Sequence, residues 1–272
     1  MPSPYFRRVT PRLTIITVTL NAEKYIGETM ESVLAQSFTD YEHLVFDGVS
    51  KDKTLEIAAA FPQDRVTIVS RKDKGIYDAM NQAIAEAKGE WLYFLNAGDT
   101  LNGTDILAKI FNNETNCDAD LLCGFLKKKN DPTGVSLLSG KPLSLQSFYH
   151  QIPVSHQGAF IKRKLFAELG NYDTFYTVVA DQQWFVRFFK AGSYKYIFTG
   201  EIFADYETVG YSFNNRLKGL RQMLHYSKKY FPLNVTLINY LRYPVMVLKS
   251  KTIKALQFSK LYTNYRQMRY KK

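Results

Sequence analysis

Several acidic, amide and imidazole side chains sit where apolar runs end, which is where a chain can do chemistry. Residues 90–99 make the plainest case. Five apolar or aromatic residues, Trp91 to Leu95, run into Asn96-Ala97-Gly98-Asp99. A run of this kind predicts a strand buried on both faces, with its carboxyl end opening into a loop. Ligands of open α/β sheets bind at the carboxyl ends of the strands, so Asp99 stands where a metal or phosphate site is expected. The other reading of Asp99 is a cap for a following helix. Further polar clusters recur in the same context: Thr17–Asn21, Asp47–Thr54, Asp73–Asn81, and His156-Gln157 with Asp181. Each alone is more often a cap or turn than part of a site. Four of them at the ends of the first four strands of a parallel sheet share one edge, and together they predict a site.

The elements that must position these residues follow from the hydrophobic pattern. Leu13–Leu20, Tyr41–Phe46 and Arg65–Ser70 predict three strands, followed by the strand before Asn96. Helices are expected over Glu23–Gln36, Leu55–Phe61, Ile76–Lys88 and about Asp105–Phe111. Gly89 closes the third of these. Strands alternating with single helices predict a parallel, doubly wound α/β sheet. The second half is less regular. It predicts strands at Asp120–Leu126, Ala159–Ile161, Tyr194–Phe198 and Ile202–Tyr206, and helices at Lys164–Leu169 and Gln182–Lys190. Asp181 caps the last helix on the structural reading, and Trp184 belongs to the core. No internal repeat is present. The Gly-rich dinucleotide fingerprint and the phosphate-loop motif are both absent, which argues against a dehydrogenase or a P-loop enzyme.

Length and charge bound the rest. The chain has 272 residues, enough for one large domain with an appendage. Its formal charge of +11 is concentrated at one end, because Thr208–Lys272 holds fourteen Lys or Arg and no acidic residue. Residues 1–207 are near neutral. This asymmetry predicts an anionic partner surface, and the interleaved aliphatic and aromatic residues suit an interfacial helix on an anionic membrane. A solvated helical appendage, or one packed against a second subunit in a homodimer, is the alternative. Nucleic acid fits less well, since no nucleic-acid module accompanies the tail. Two cysteines make neither a disulfide framework nor a zinc site and point to a reducing compartment. No signal peptide and no membrane-spanning run is evident. The expected location is cytoplasmic, at the inner face of the cytoplasmic membrane.

Five stretches carry a resemblance. They are Thr14-Ile15-Ile16-Thr17-Val18-Thr19-Leu20-Asn21, Asp47-Gly48-Val49-Ser50-Lys51-Asp52-Lys53-Thr54, Asp73-Lys74-Gly75-Ile76-Tyr77-Asp78-Ala79-Met80-Asn81, Leu95-Asn96-Ala97-Gly98-Asp99 and Ala180-Asp181-Gln182-Gln183-Trp184. With them the chain resembles the family 2 inverting glycosyltransferases of the GT-A fold, and most nearly bacterial enzymes of O-antigen and capsule synthesis. The resemblance implies a GT-A (Rossmann-like), mostly parallel sheet flanked by helices over residues 1–210, with a basic helical extension over 211–272. It implies a nucleotide-sugar donor, a UDP-sugar foremost, and a glycan or lipid-linked acceptor. Asp47 is then the acceptor for a uracil imide, with Thr19 and Asn21 beside the base and Asp73 and Asn81 bordering the nucleoside and sugar. Asn96 and Asp99 face the diphosphate. Asp181 matches the catalytic base. The family's Asp-x-Asp metal motif is altered here, with Asn96 first and Gly98 third. Mg²⁺ or Mn²⁺ is therefore expected on Asp99, with His156 as a second ligand; a lone His is more often structural, and its other functional readings are a phosphate or acceptor contact. Asp52 is read as a helix cap. The altered motif also leaves open a catalytically silent nucleotide-sugar-binding or assembly protein.

Overall fold

The computed structural model describes residues 10–129, 138–207 and 211–256, with side chains to residue 252. The expected domain boundary at residue 210 and the last sixteen residues of the basic tail lie outside the described residues. The first half alternates strand and helix: β1 (Leu13–Thr19), α1 (Ile26–Leu34), β2 (Tyr41–Asp47), α2 (Thr54–Ala59), β3 (Val66–Ser70), α3 (Ile76–Glu86) and β4 (Trp91–Phe94). Then come β5 (Thr100–Leu101), α4 (Ile106–Phe111), α5 (Glu114–Cys117), β6 (Leu121–Lys128), β7 (Leu138–Ser139), β8 (Ala159–Lys162) and α6 (Lys164–Leu169). The chain continues through α7 (Ala180–Ala191), β9 (Tyr196–Tyr206), α8 (Tyr211–Asn214), α9 (Arg216–Tyr230) and α10 (Leu233–Leu256).

The main sheet runs in the order β3-β2-β1-β4-β8-β6-β9-β5, with β7 paired to β6. Strands β3, β2, β1 and β4 are parallel, as the alternation predicts. Chain order reverses between β1 and β4, which is the switch point where an α/β sheet opens a crevice at its carboxyl edge. Beyond β4 the sheet is mixed rather than mostly parallel: β8 is antiparallel to both β4 and β6, while β9 is parallel to β6. A parallel neighbour needs a long crossover, usually a helix. The stretch between β7 and β8 holds only two short 3-10 turns, and β8 enters antiparallel.

Two further differences have local causes. The two strands expected at 194–206 are one strand, because Gly200 takes a left-handed φ of 77° and the register against β6 shifts near Gly124. A bulge absorbs the glycine and the ladder continues. Asp99 does not cap a helix: the next two residues form β5 against Ala204 and Asp205 of β9.

Strands β1 and β4 are buried along their whole length. The largest core cluster joins Phe46, Phe94, Trp184 and Phe185 to Leu220, Met223, Tyr226 and Phe231. Helix α9 and its end thus share the core of α7.

Candidate functional site

On one side of the switch point the loops after β1 and β2 are zipped together. The Asn21 amide N–H donates to Ser50 Oγ at 2.7 Å, and Lys51 N–H donates to Asn21 Oδ1 at 2.9 Å. Ala22 N–H donates to Thr54 Oγ1 at 2.7 Å and Glu23 N–H to Asp52 Oδ2 at 3.0 Å. Asp52 also accepts from Thr54 N–H at 3.0 Å, from the position before the helix N-cap, which is Lys53 and not the expected Asp52. Asn21 and Val49 adopt left-handed φ values of 52° and 67°. For β-branched Val49 this is a costly conformation, which the surrounding bonds must hold.

Asp47 is fully buried at the end of β2. Its Oδ2 accepts from Ser50 N–H and from Ser70 Oγ, both at 2.9 Å, and its Oδ1 accepts from Ser50 Oγ. Of the roughly four acceptor positions of a carboxylate, one remains. Gly48 N–H donates to Thr19 O at 2.9 Å. The Asp73 carboxylate lies so close to Gly48 that a β-carbon there would come within 2.5 Å of Asp73 Oδ2. Thr19, Asp47, Gly48 and Asp73 therefore meet in one corner. Thr19 Oγ1 is buried there with no partner among the described residues, an unusual state for a polar atom unless a ligand completes it.

On the other side of the switch point, Asn96–Asp99 turns sharply, with Asp99 N–H on Asn96 O at 3.0 Å. Thr29 of α1 anchors the turn, accepting from Gly98 N–H at 2.9 Å and donating to Asp99 O at 2.8 Å. The buried Asp99 accepts from Gln157 Nε2 and from Glu207 N–H, each at 3.0 Å. Burial pushes its carboxyl above the usual range, against those two hydrogen bonds and the nearby Lys129 charge.

A buried chain of hydrogen bonds links this turn to α7. His156 Nε2 lies 3.0 Å from Asn96 Nδ2, and His156 Nδ1 lies 3.2 Å from Asp181 Oδ2. An ionised carboxylate only accepts, so Nδ1 carries a proton; Nε2 faces the Asn96 amide, whose Oδ1 also lies 3.2 Å from it, and accepts from Nδ2 in the Nδ1–H tautomer. His156 N–H also reaches Asp181 Oδ2, at 3.2 Å. Asp181 Oδ1 accepts from Tyr77 Oη at 2.9 Å and from Gln182 N–H at 2.8 Å. Burial, then the adjacent Asp181 charge, drives the Tyr77 phenol well above its ordinary value, so it remains a donor. Asp181 lies within the first turn of α7, whose N-cap is Val179.

The structure thus brings Asn96, Asp99, His156 and Asp181 together, and separately Thr19, Asn21, Asp47 and Asp73. Asn81 joins neither group. Its Nδ2 donates to Tyr172 O at 2.8 Å and its Oδ1 accepts from Tyr172 N–H at 3.0 Å, so its amide clamps the loop before α7. Sequence reading missed Tyr77, Thr29, Ser50 and Ser70. Tyr77 was hidden by its helical apolar spacing, whereas Ser70 closes a strand as Asp47 does and carried the same signal.

For the expected divalent cation, His156 has Nδ1 on Asp181 and Nε2 on Asn96, so it would reach a cation only through Nε2 with Asn96 turned away. Asp99 keeps lone pairs on both oxygens, and the oxygen of Gln157, whose nitrogen already binds Asp99, is buried without a partner among the described residues. Two hard oxygens of this kind suit Mg²⁺ or Mn²⁺. Among the described residues no three His, Cys, Asp or Glu side chains converge, so such an ion needs substrate oxygens and water to complete its shell.

Solved structures share this architecture. Mannosyltransferase PcManGT from Pyrobaculum calidifontis, in complex with GDP-Man and Mn2+, aligns over 94% of this chain and 79% of its own, with a TM-score of 0.64 and 20% identity. S. aureus TarS 1-349 in complex with UDP aligns over 79% of this chain and 64% of its own, at TM-score 0.61 and 19% identity. The class defined by fold and site is the GT-A glycosyltransferase. The glycosyl transferase family 2 model matches residues 14–170, and the chain belongs to that family. A PGL/p-HBAD biosynthesis glycosyltransferase of Mycobacterium bovis (strain BCG / Pasteur 1173P2) is 33% identical over 184 residues, 66% of this chain and 70% of the relative. An uncharacterized glycosyltransferase of Mycobacterium tuberculosis (strain CDC 1551 / Oshkosh) is 32% identical over 182 residues, 65% of this chain and 68% of the relative.

Proposed function

We propose that this glycosyltransferase moves a sugar from a UDP-sugar to a glycan or lipid-linked acceptor with inversion at the anomeric carbon, in the building of a cell-surface polysaccharide such as O-antigen or capsule. The observation that carries the reading is the buried chain Asn96–His156–Asp181–Tyr77 at the carboxyl edge beside the strand switch. The nucleoside occupies the corner of Thr19, Asn21, Asp47 and Asp73. There the remaining acceptor position of Asp47 and the unpartnered Thr19 hydroxyl meet the base and ribose. The diphosphate lies along the Asn96–Asp99 turn. A divalent cation held by Asp99, with the Gln157 oxygen beside it, would neutralise the charge of the departing diphosphate.

The acceptor hydroxyl attacks the anomeric carbon from the face opposite the nucleotide. Its oxygen forms the new glycosidic bond as the bond from that carbon to the phosphate oxygen breaks, and the diphosphate keeps the electron pair. The proton goes to the Asp181–His156 pair. Every acceptor position of Asp181 is filled, so the open lone pair of the pair is His156 Nε2 once Asn96 turns from it. Asp181 then supplies the negative charge that stabilises the imidazolium. The family relatives and the UDP and GDP-Man complexes of the neighbours support a nucleotide-sugar donor. The relative named as a PGL/p-HBAD biosynthesis glycosyltransferase supports sugar transfer in a biosynthetic role.

The test is Asp181→Asn. Transfer should fall by roughly 10²–10⁴-fold, because His156 loses the charge that orients it and stabilises its imidazolium, while UDP affinity measured by calorimetry stays unchanged. Near-normal transfer by a folded Asn variant would remove the pair from the chemistry.

A further inference from the structure

Helix α10 has one face that is buried and, among the described residues, an opposite apolar face that is uncovered. The covered face holds Val235, Thr236, Asn239 and Ser250. Its rotation is locked by buried polar contacts. Asn239 Nδ2 donates to Tyr149 O at 2.7 Å and to Ser227 Oγ at 3.1 Å, its Oδ1 lies 2.7 Å from His150 Nδ1, and Thr236 Oγ1 donates to Ser227 O at 3.0 Å. Turning the helix would bury those groups unpaired, so the opposite face must point out.

That outward face carries Leu233, Leu237, Leu241, Val245 and Leu248, of which Leu233, Leu241, Val245 and Leu248 are each 67–79% exposed. At 3.6 residues per turn they share an arc of roughly 120°. Single exposed leucines are ordinary, but a continuous exposed stripe marks an interaction surface. Arg242, Lys249 and Lys251 are exposed along the same helix. Lys228 of α9 stands 5.9 Å from the ring of Tyr240. Where the end of α10 meets the start of α9, Arg216, Lys218 and Lys251 line a cleft of about 230 Å³ with Asn214 and Ser250. From residue 208 onward the sequence has no acidic side chain.

We infer that the outward face of α10 lies flat in the interface of a bilayer, with anionic lipid headgroups taken by the cleft of Arg216, Lys218 and Lys251. The charge decides the occupant. A second copy would bring the same cations against these, whereas phosphate headgroups complement them, and the leucines reach the acyl boundary as in interfacial helices. No helix among the described residues is long and apolar enough to cross a membrane, so the helix rests on the surface. This inference does not use the transfer chemistry.

The experiment is co-sedimentation of the full chain with vesicles of phosphatidylglycerol and phosphatidylcholine, or phosphatidylcholine alone, at low and high salt. Binding to the anionic vesicles that weakens with salt is expected. Leu241→Ser with Leu248→Ser, both at exposed positions, should weaken it roughly tenfold. Arg216→Ala with Lys218→Ala and Lys251→Ala should cost on the order of a hundredfold on anionic vesicles and nothing on neutral ones. Inorganic phosphate at matched ionic strength should not compete. Absence of vesicle binding at low salt, or binding indifferent to the leucine pair, overturns the inference. Competition by phosphate assigns the cleft to a free anion and overturns it too. So does a concentration-dependent dimer in sedimentation velocity that the leucine pair abolishes. Unchanged UDP affinity in both variants separates these outcomes from any failure of the donor site.

Discussion

Asp181 and Asp99 are both buried carboxylates, and their surroundings assign them different work. Asp181 receives four donors, one of them the imidazole N–H that orients His156. That is the arrangement by which a carboxylate sets the tautomer of a histidine and stabilises its protonated form. Asp99 receives two donors, Gln157 and Glu207 N–H, and burial raises its pKa. A cation would relieve that burial penalty, and the unpartnered Gln157 oxygen stands beside it. Asp99→Asn keeps the size of the side chain and removes the charge. We expect Mn²⁺ to strengthen UDP binding by the wild type and to have no effect on the Asn variant. Equal enhancement in both would move the cation off Asp99.

At the scale of elements, two close approaches test which loop serves the proposed donor site and which serves the fold. A β-carbon on Gly48 would meet Asp73 Oδ2 at 2.5 Å, the far end of a side chain that can swing away. Gly48→Ala should therefore change stability by less than about 1 kcal/mol while moving Asp73 out of the corner proposed for the nucleoside. UDP affinity then falls about fivefold, the worth of one ordinary hydrogen bond. A β-carbon on Gly89 would lie 2.4 Å from Thr14 N and 2.7 Å from Leu13 C. Backbone of a buried strand cannot step aside, so Gly89→Ala should destabilise by about 1–3 kcal/mol and leave the UDP affinity of the folded fraction intact. Urea unfolding and calorimetry on the two variants check both statements. The reverse pattern would mean that the loop after β2 is structural.

For the whole molecule, the dependence of stability on pH is written into the sheet. His43 of β2 is buried beside Thr17 Oγ1 at 2.9 Å, and burial lowers its pKa from 6.5 to about 4. Between those values the unfolded chain binds a proton that the folded chain refuses. The contribution is therefore complete above pH 6.5 and is lost as pH falls towards 4, amounting to about 3 kcal/mol over the window. His43→Gln removes the titration. Its unfolding free energy, followed from pH 7 to 4, should fall by about 3 kcal/mol less than that of the wild type. Parallel curves would show that His43 does not titrate differently in the two states.

Periodicity and the residues at strand ends were legible without coordinates. The four parallel strands with their helices follow from local pattern, because a run buried on both faces and a helix stripe are written in consecutive residues. The polar clusters at Thr19, Asn21, Asp47, Asp73, Asn96, Asp99, His156 and Asp181 were visible for the same reason. What each cluster does was decided by partners far away in the chain. Asp181 meets Tyr77 across 104 residues, Asp99 meets Glu207 N–H across 108, and Asn81 is claimed by the backbone of Tyr172, 91 residues on. The antiparallel entry of β8, the single strand through Gly200 and the outward turn of the α10 leucines were likewise settled by pairing and burial between distant segments. A hydrogen-bonding group declares its chemistry by residue type, but the atom that satisfies it is chosen only when the chain closes on itself.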